Sequence, residues 1–393
     1  MPFFTFVVIL TAALGASARQ LDVDSSDNTI SSAQALAANL MTYYNSASIL
    51  PHPYWWWETA GSLATMAQYS HNTQDYQYDD QVASIIVSQA GNAGDFMGPS
   101  TLGNDDQLWW AILCMTAAEY GFRQLDSGPQ YLQLAQNVYK EVSARWDNST
   151  CNGGLRWQIA SSAPGYNYKN AISNGLFFQL AARLGRYTGD SSYLDQAKRS
   201  WDWLASIGMI DAANYNVYDG SDDTLQCKSL DHDQWSYNSA AFLYGAAMMA
   251  DATGDTSTWQ PRLTGLLTSI TKTFTINSIL QEPCETKPEG CNTDQLSFKA
   301  YTARWLAATA ALVPSTAAQI QPILTASVKG ALPSCNDGTE GTCGARWTTN
   351  AFDGSGGVGQ QMSALEIVQA GLLGGRPLPG KIVGRTVAMR FRA

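Results

Sequence analysis

Two consecutive aspartates, Asp105 and Asp106, are the residues of this sequence best suited to do chemistry. They follow a glycine-rich segment, GNAGDFMGPSTLGN, and precede the apolar run LWWAILCMTAAEY, so they open a predicted helix. Two carboxyls about 5–5.5 Å apart can act as nucleophile and general acid/base at a glycosidic bond, whereas direct attack by water needs about 6.5–9.5 Å. Neighbouring side chains at a helix entrance can meet the shorter distance, so the pair predicts a double displacement.

A structural explanation competes with this interpretation of the pair. Carboxylates at a helix start cap free N–H groups and are stabilised by the helix dipole. The glycine-rich segment before the pair and Trp109–Trp110 after it favour a catalytic role. For that role the two acids must titrate differently, because repulsion raises one pKa while N–H bonds keep the other carboxylate charged. Spacing alone does not say which aspartate is which.

Aromatic and amide side chains suggest where a sugar would bind. Aromatic faces stack on the C–H face of a pyranose, while amides and carboxylates bind its hydroxyls. The sequence has 13 tryptophans and 18 tyrosines, many beside Asn, Asp or Gln, although a large core with polar aromatic rims would have the same composition. The candidate substrate-binding residues are Trp56, Trp57, Asn104, Asn174, Asp233, Tyr237, Trp347 and Asp353.

Metal and cofactor chemistry is not expected. His232 stands between two aspartates, but a single histidine on a polar loop is more often an ordinary loop residue than a metal ligand. The chain has three histidines, and its cysteines lack zinc-ligand spacing. We therefore predict no metal site and no cofactor.

The candidate residues must be held in place by helices. Apolar residues recur with helical spacing along almost the whole chain, whereas two-residue alternation is hard to find, so we predict an all-α fold. Twelve helices are expected near 29–47, 57–70, 76–90, 106–121, 128–146, 169–188, 191–208, 234–251, 257–275, 293–312, 315–330 and 357–372. Longer segments rich in Gly, Asn, Trp and Tyr separate pairs of helices, at 91–104, 151–168, 211–233, 282–292 and 332–356.

The turns within pairs repeat a pattern. LGRYTGDSSYLDQA at 184–197 and MADATGDTSTWQPR at 249–262 share a Thr-Gly-Asp turn, in which glycine suits a left-handed helix end and aspartate caps the next helix. Six helical hairpins, with short turns on one side and long segments on the other, predict an (α/α)6 toroid whose long-segment face holds the site. An open α-solenoid is the alternative.

The chain divides into three parts. Residues 1–18 predict a signal peptide that ends in the A-x-A pattern of Ala16–Ala18, and their apolar run is shorter than the ~20 residues of a membrane-spanning helix. Residues 19–375 form a single catalytic domain, and the basic segment 376–393 is expected to be a disordered tail.

The seven cysteines fit a secreted protein with three disulfides and one buried free thiol. The expected pairs are Cys284–Cys291, Cys335–Cys343 and Cys151–Cys227, with Cys114 free. The sequon at Asn148 is consistent with passage through the secretory pathway.

Three motifs carry a family resemblance. Tyr54–Glu58 (YWWWE), Asn104–Gln107 (NDDQ) and Gly356–Ala364 (GGVGQQMSA) resemble glycoside hydrolase family 76, the endo-α-1,6-mannanases, and particularly their fungal cell-wall branch, over residues 28 to about 372. The resemblance implies an (α/α)6 fold and retention of configuration, with Asp105 as nucleophile and Asp106 as acid/base. In the fungal branch the acceptor can be another glycan, so it also suggests transfer of a mannose core onto wall polysaccharide.

Charge and resemblance together define the expected partners. A net charge of −10 leaves no basic stripe for nucleic acid, so the substrate should be neutral or cationic. The resemblance implies α-1,6-mannan or the mannose glycan of a GPI anchor as substrate, wall glucan as a possible acceptor, a monomeric state, and a secreted or cell-wall location. The last residues, GGRPLPGKIVGRTVAMRFRA, are not apolar enough for a GPI-attachment signal, so membrane association is expected only if such a signal is missing from this sequence.

Two other functions remain open at this stage. One is a non-catalytic mannan-binding wall protein on the same toroid, which would bind mannan without either aspartate. The other is a different (α/α)6 sugar enzyme, such as an unsaturated-uronyl hydrolase or an epimerase, and the three histidines and sparse arginines argue against both of these.

Overall fold

The computed structural model describes residues 21–44, 49–335 and 341–381, and these fold into helices with few strands. The predicted signal peptide, residues 1–18, lies outside the described residues. The α-helices of the described chain are α1 (Ser26–Met41), α2 (Trp56–Thr73), α3 (Asp79–Gln89), α4 (Asn104–Tyr120), α5 (Tyr131–Ala144), α6 (Ala171–Thr188), α7 (Ser191–Ser206), α8 (Ser236–Thr253), α9 (Thr256–Phe274), α10 (Phe298–Leu312), α11 (Ala317–Ser334) and α12 (Val358–Gln369). The predicted all-α class is confirmed, and most boundaries fall within a few residues of those expected.

The even-numbered helices form a closed inner ring. Each contacts the next in the order α2, α4, α6, α8, α10, α12, and α12 returns to contact α2. The helices α3, α5, α7, α9 and α11 each pack outside the inner helix that precedes them, whereas α1 packs mainly on α12. Closure of the ring confirms the (α/α)6 toroid and excludes the open solenoid. It also shows that the sixth pair is made by the first and last helices rather than by a hairpin.

Sequence pattern decides which helices lie inside. Residues Ala171 to Arg186 of α6 are all buried, because this helix is enclosed by α4, α8 and its outer partners. The outer helix α5 instead buries one stripe, with Leu134, Val138 and Val142 spaced at i, i+4 and i+8. The inner helix is thus buried on all sides, polar residues included, and the amphipathic outer helix covers the ring with one apolar stripe.

The short turns lie where the inner helices end. Gly189 ends α6 with a φ of 76°, and the side chain of Asp190 accepts a hydrogen bond from the Ser192 N–H at the start of α7. Gly254 and Asp255 repeat this arrangement between α8 and α9. The predicted Thr-Gly-Asp turns are thus confirmed, and the opposite end of the ring, where the inner helices begin, faces the long segments.

Small sheets order two of the long segments. The strands β1 (Tyr168–Asn170), β2 (Gly220–Asp222) and β3 (Leu230–Asp231) form an antiparallel sheet in that order, and β4 (Thr275–Ile276) pairs with β5 (Ile279–Leu280). The sequence did not predict these strands, since two or three residues are too few to show alternation. The first sheet fixes the segments that lead into α6 and α8.

The predicted disulfide pattern is confirmed. Cys151–Cys227 joins two long segments, while the other two bonds close short loops between Cys284 and Cys291 and between Cys335 and Cys343. Cys114 is a buried free thiol on α4.

The first part of the expected disordered tail is docked on the ring. Arg186 donates to the backbone carbonyls of Pro379 and Gly380, at 3.0 and 3.1 Å, and Lys381 forms an ion pair with Asp251 at 2.6 Å. The prediction was therefore wrong for residues 376–381, because acidic and arginine side chains at the ends of α6 and α8 hold this basic segment. Residues 382–393 lie outside the described part of the chain.

Candidate active site

The aspartate pair lies in the first turn of α4, at the end of the ring that faces the long segments. Asp106 Oδ2 accepts hydrogen bonds from the backbone N–H groups of Leu102 and Gly103, at 3.0 and 2.7 Å. Asp105 Oδ1 accepts from the Asp106 N–H at 3.2 Å, and Asn170 Nδ2 lies 3.5 Å from Asp105 Oδ2. Each carboxyl is therefore fixed by the backbone of the helix entrance, as the structural interpretation also required.

Burial and mutual repulsion set the protonation of the pair. Burial raises the pKa of Asp105 well above its ordinary value, and the charge of Asp106 raises it further. Burial also raises the pKa of Asp106, while the N–H bonds from Gly103 and Leu102 oppose that shift. Since the two charges repel each other in a buried setting, the pair retains a proton at a pH where an exposed aspartate is ionised. The pair can thus supply an acid and a carboxylate together.

Aromatic rings from several inner helices surround the entrance of α4. Trp57 of α2 stacks on Trp109 of α4, with centroids 5.1 Å apart, and Trp109 packs against Tyr301 of α10 at 4.4 Å. Tyr237 of α8 stacks on Phe298 with centroids 3.8 Å apart and planes 5° from parallel. Trp57 and Tyr237 are half-buried, so each keeps part of its surface accessible. Trp57 thus packs on α4 one helical turn from the aspartate pair, and Tyr237 is near enough to Asp105 for that charge to act on its hydroxyl.

Further carboxylates, which sequence reasoning missed, face the same region. Burial, and after it the charge of Asp106, raises the pKa of Asp294, just before α10, to about 6. Asp219, just before β2, accepts a hydrogen bond from the Tyr168 hydroxyl at 2.9 Å, and burial raises its pKa. Burial raises the pKa of Tyr237, and the charges of Asp219, Asp105 and Asp294 raise it further, so these acids share its surroundings.

Asn170 is another missed residue, and a sequence signal existed for it. It caps α6, with its side chain accepting from the Ser173 N–H, so it occupies the position before an inner helix that Gly103 occupies before α4. Comparing the residues that precede each inner helix would have found it. Asp294 precedes the 3-10 turn before α10 and Asp219 stands in an irregular segment, and the sequence analysis singled out neither.

Asn104 and Asn174 were predicted to bind substrate, but both support the neighbouring loop. Asn104 accepts from Arg145 Nε at 2.7 Å and donates to the Arg156 carbonyl at 2.8 Å. Asn174 exchanges hydrogen bonds with both backbone groups of Leu155. The two amides are buried and their polar atoms bond within the protein, so the structure contradicts the prediction for this pair.

Three further residues that were predicted to bind substrate make contacts within the protein. Trp347 is fully buried, with the Lys299 ammonium 4.2 Å from its ring centroid. Asp353 holds a turn by accepting from backbone N–H groups, including that of Arg346 at 2.9 Å. Trp56 points to the outer layer, where its Nε1 donates to Gln89 at 2.9 Å. Complete burial contradicts the prediction for Trp347. Trp56 and Asp353 are half-buried, so their role in substrate binding stays a prediction.

Asp233 is exposed on the segment that follows β3. Its backbone carbonyl accepts from the Asp219 N–H at 2.9 Å, and its charge contributes to the raised pKa of Asp219. It therefore borders the acidic group rather than the aspartate pair itself, and its role in binding stays a prediction.

A separate groove of about 410 Å³ lies on the outer wall, between α7 and the segment that contains Asn152. Trp146, Trp203 and Arg199 contribute to its lining. None of the residues around Asp105 borders this groove, so it is not part of the candidate site.

Comparison with known proteins identifies close relatives. The model of the family described as Glycosyl hydrolase family 76 matches residues 28–381. Mannan endo-1,6-alpha-mannosidase DCW1 of Candida glabrata is 39% identical over 94% of this chain and 85% of its own length. The DCW1 protein of Saccharomyces cerevisiae is also 39% identical, over 92% of this chain and 82% of its own length.

Solved structures show the same architecture. Dfg5 from Chaetomium thermophilum, in complex with glucosamine, superposes with a TM-score of 0.89 at 37% identity, covering 92% of this chain and 94% of its own. An inactive variant of the α-1,6-mannanase GH76A of Salegentibacter sp. HEL1_6, in complex with α-1,6-mannotetrose, gives a TM-score of 0.72 at 19% identity. It covers 88% of this chain and 99% of its own, and at that identity it is evidence for the fold.

Proposed function

Because this chain belongs to glycosyl hydrolase family 76, we propose that it cleaves α-1,6-mannosidic linkages within mannan or GPI-glycan cores, with retention of configuration, in the fungal cell wall. The observation that carries the proposal is the pair of adjacent carboxyls, buried Asp105 and half-buried Asp106, at the mouth of the ring among half-buried aromatics. In the inactive Salegentibacter variant two consecutive aspartates are replaced by alanine, which supports a catalytic role for such a pair.

The reaction follows from two carboxyls with different tasks. A carboxylate oxygen of Asp105 attacks the anomeric carbon while Asp106 gives its proton to the departing glycosidic oxygen. The bond to the leaving sugar breaks, and a mannosyl ester with Asp105 forms. Asp106, now ionised, takes a proton from an acceptor hydroxyl, which attacks the anomeric carbon and releases Asp105. The configuration is inverted twice and is therefore retained.

These roles require the shared proton to lie on Asp106 when the sugar is bound. In the ligand-free protein the N–H bonds to Oδ2 favour the charge on Asp106, and deeper burial favours the proton on Asp105. Positive charge that develops at the anomeric carbon stabilises the carboxylate facing it. Bound substrate would thus draw the charge to Asp105 and return the proton to Asp106.

The electrostatics of the site favour a neutral or cationic glycan. Asp219 and Asp294 add carboxylates to the surroundings of the pair. A cleft lined with acids repels anionic sugars such as uronates, which argues against an unsaturated-uronyl hydrolase. The Chaetomium relative is in complex with glucosamine, an amino sugar, so a GPI glycan core is the substrate we favour beside mannan.

Transfer to a second glycan is the finer part of the proposal. The mannosyl ester can react with water or with a sugar hydroxyl, and half-buried Trp57 and Tyr237 offer stacking surfaces on which an acceptor can displace water. We propose wall glucan as the acceptor and a monomeric enzyme.

The proposed location is secreted or in the cell wall. Three disulfides are typical of an oxidising compartment, and Asn148 of the glycosylation sequon is exposed. No helix within residues 21–44, 49–335 and 341–381 has the length and apolar character needed to cross a membrane.

Mass spectrometry of the products formed from α-1,6-mannotetraose, with and without a β-glucan oligosaccharide, tests the proposal. A transglycosidase gives mannosyl-glucan adducts, and a hydrolase gives shorter mannans in both reactions. Unchanged mannotetraose in both reactions would leave the non-catalytic mannan-binding protein as the better account.

A further inference from the structure

The groove on the outer wall has an ordered floor. Trp203 of α7 lines it and is almost fully buried, and its Nε1 donates to the Cys151 carbonyl at 2.9 Å. Cys151 is in turn linked to Cys227 by a disulfide. Trp146 is half-buried and packs edge-on against Trp203, with ring centroids 5.7 Å apart. The disulfide, α7 and two tryptophans therefore give the groove a defined shape.

The exposed side chains of the groove carry equal numbers of positive and negative charges. Four of them line it from α7, namely Asp195, Lys198, Arg199 and Asp202. Carboxylates accept hydrogen bonds from hydroxyl groups, while ammonium and guanidinium groups donate to hydroxyl and carbonyl oxygens. Two acids and two bases leave no net charge to attract an ion, and the volume of about 410 Å³ is in the range of small-ligand sites. The groove thus suits a neutral ligand rich in polar groups, such as a short oligosaccharide.

A glycosylation sequon stands at the edge of this groove. Asn148–Thr150 is the one Asn-x-Ser/Thr pattern of the sequence. The Asn148 Oδ1 atom accepts hydrogen bonds from Trp146 Nε1 at 3.2 Å and from Arg199 Nη2 at 2.9 Å. Trp146 and Arg199 both line the groove, and the Arg199 guanidinium also lies 4.8 Å from the Trp146 ring centroid. Two residues of the groove therefore orient the side-chain amide of Asn148.

The nitrogen of that amide is open to modification. Asn148 is exposed, and no hydrogen bond among the described residues uses its Nδ2. Asp147 holds the rest of the sequon, since its carboxylate accepts from the Ser149 N–H at 2.8 Å and from the Thr150 hydroxyl at 2.6 Å. An N-linked sugar replaces one hydrogen of Nδ2 and leaves Oδ1 unchanged. Both hydrogen bonds to Oδ1 are thus compatible with a glycan that starts at the edge of the groove.

We propose that Asn148 carries an N-linked glycan and that the groove holds its first two N-acetylglucosamine units. In the covalent step Nδ2 attacks C1 of the first sugar of a lipid-linked oligosaccharide diphosphate. The C1–O bond to the diphosphate breaks, the C1–N bond forms, Nδ2 releases a proton and the lipid diphosphate leaves. The bound glycan connects the segment around Asn148 to α7. This inference goes beyond the proposed catalytic function and needs entry into the secretory pathway, but no enzymatic activity.

Glycopeptide mapping tests the modification. The full chain is secreted from a yeast host, and mass spectrometry compares the peptide that contains Asn148 before and after peptide N-glycosidase, which converts a glycosylated asparagine to aspartate. We expect a glycan on Asn148. The N148D variant keeps an oxygen acceptor for Trp146 and Arg199 and should carry no glycan. Secreted protein with unmodified Asn148, or a chain that never enters the secretory pathway, would overturn the proposal.

Enzymatic trimming of the folded protein tests whether the groove holds the glycan. An endoglycosidase that cuts between the first two N-acetylglucosamine units must reach a bond that lies in the groove. We expect folded wild type to be cut at least ~10-fold more slowly than unfolded protein, which corresponds to about 1.4 kcal/mol of docking. Ser206→Trp places a large ring in the groove and should remove this protection. Ala205→Trp, at an exposed neighbour that does not line the groove, is the matched control and should keep it.

A second variant keeps the trimming test decisive if S206W does not fold, which circular dichroism shows. Asp195→Ala removes a polar side chain from the groove without adding bulk, and it should also raise the trimming rate of the folded protein. Equal trimming rates for folded wild type, A205W and the folded groove variants would overturn the docking of the glycan.

Free mannan is the alternative occupant of the groove. Calorimetry with α-1,6-mannotetraose compares the glycan-free, catalytically silenced protein D105N/N148D with and without Ser206→Trp. The proposal predicts equal binding, and weaker binding caused by Ser206→Trp would assign the groove to the substrate and overturn it. Failure of wild type to cleave mannotetraose would overturn the proposed activity instead, and the mapping and trimming experiments would still decide the glycan.

Discussion

Buried carboxylates lie at both ends of the ring, yet the protein treats them differently. Towards the short turns, Glu119 forms an ion pair with Arg183 at 2.8 Å and Glu366 with Arg304 at 2.6 Å, and all four side chains are buried. Towards the long segments, no ion pair in the described residues includes Asp105, Asp106, Asp294 or Glu58. The carboxylates with arginine partners hold inner helices together, whereas at the other end burial without a cation raises the pKa of all four acids.

The difference shows how one fold places stabilising carboxylates at one end of the ring and catalytic carboxylates at the other. A buried charge must be paired, or its pKa must shift until the neutral form prevails. The Arg183 guanidinium also donates to the Ile112 carbonyl and the Thr116 hydroxyl, so that end satisfies most of its donors internally. At the other end the unpaired acids shift upward in pKa, which makes proton transfer near neutral pH possible.

The largest effect should come from the aspartate pair. D105N and D106N should each lower turnover of α-1,6-mannotetraose at least ~10³-fold, since members of a catalytic unit are nearly as costly to lose singly as together. Both variants should keep the melting temperature of the wild type or exceed it, because each removes repulsion between buried charges. Turnover close to wild type in either variant would contradict the catalytic role of the carboxylates at the end of the ring that faces the long segments.

Breaking an ion pair at the other end should affect stability instead. Arg304→Met leaves Glu366 buried without a cation and should lower the free energy of unfolding by ~3–5 kcal/mol. Urea titration followed by circular dichroism measures that loss. Activity per folded molecule should stay within about twofold of wild type, so a large drop in kcat of the folded variant would show that the two ends are not separate.

Glu58 should make stability depend on pH in the direction opposite to an ordinary surface acid. Burial raises its pKa from 4.5 to about 8, so between these values the folded state holds a proton that the unfolded state has lost. Its contribution is therefore present below pH 4.5 and is lost as pH rises through 8, at up to ~1.4 kcal/mol per pH unit. Unfolding of E58Q at pH 5, 6.5 and 8 should show a flatter pH dependence than wild type. Identical slopes would contradict this assignment.

The smallest effect is expected at Asp353, which the sequence suggested as a sugar ligand. Asp353→Asn keeps one acceptor oxygen and loses part of the turn bonding to the N–H groups of Ala345 and Ser355, so stability should fall by ~1 kcal/mol. The KM for mannotetraose should change by less than about twofold. A tenfold rise in KM with unchanged stability would instead show that Asp353 binds the substrate.

The fold was predictable because its signals are local and repeated. The turns at Gly189 and Gly254 carry their own capping residues, and the number of helices suits a closed ring. The contact of α12 with α2 needed the structure, since no local pattern distinguishes a ring from a solenoid.

The site was predictable only in part. Asp105 and Asp106 are adjacent in sequence, and Trp57 and Tyr237 stand at helix starts, so pattern and position pointed to them. Asp294 comes from a segment placed by a disulfide and by ring closure, and that position is invisible before folding. The predictions for Asn174 and Trp347 were wrong because tertiary packing buries both side chains completely, and the sequence alone does not reveal that burial.

The most direct test of the account is to trap the mannosyl ester. A mannosyl fluoride with a ring fluorine that slows the second step should label the protein once, and peptide mass mapping should place the sugar on Asp105. Label on Asp106 would reverse the two roles. Absence of any ester, together with release of a product of inverted configuration from mannotetraose, would contradict the double displacement on which the account depends.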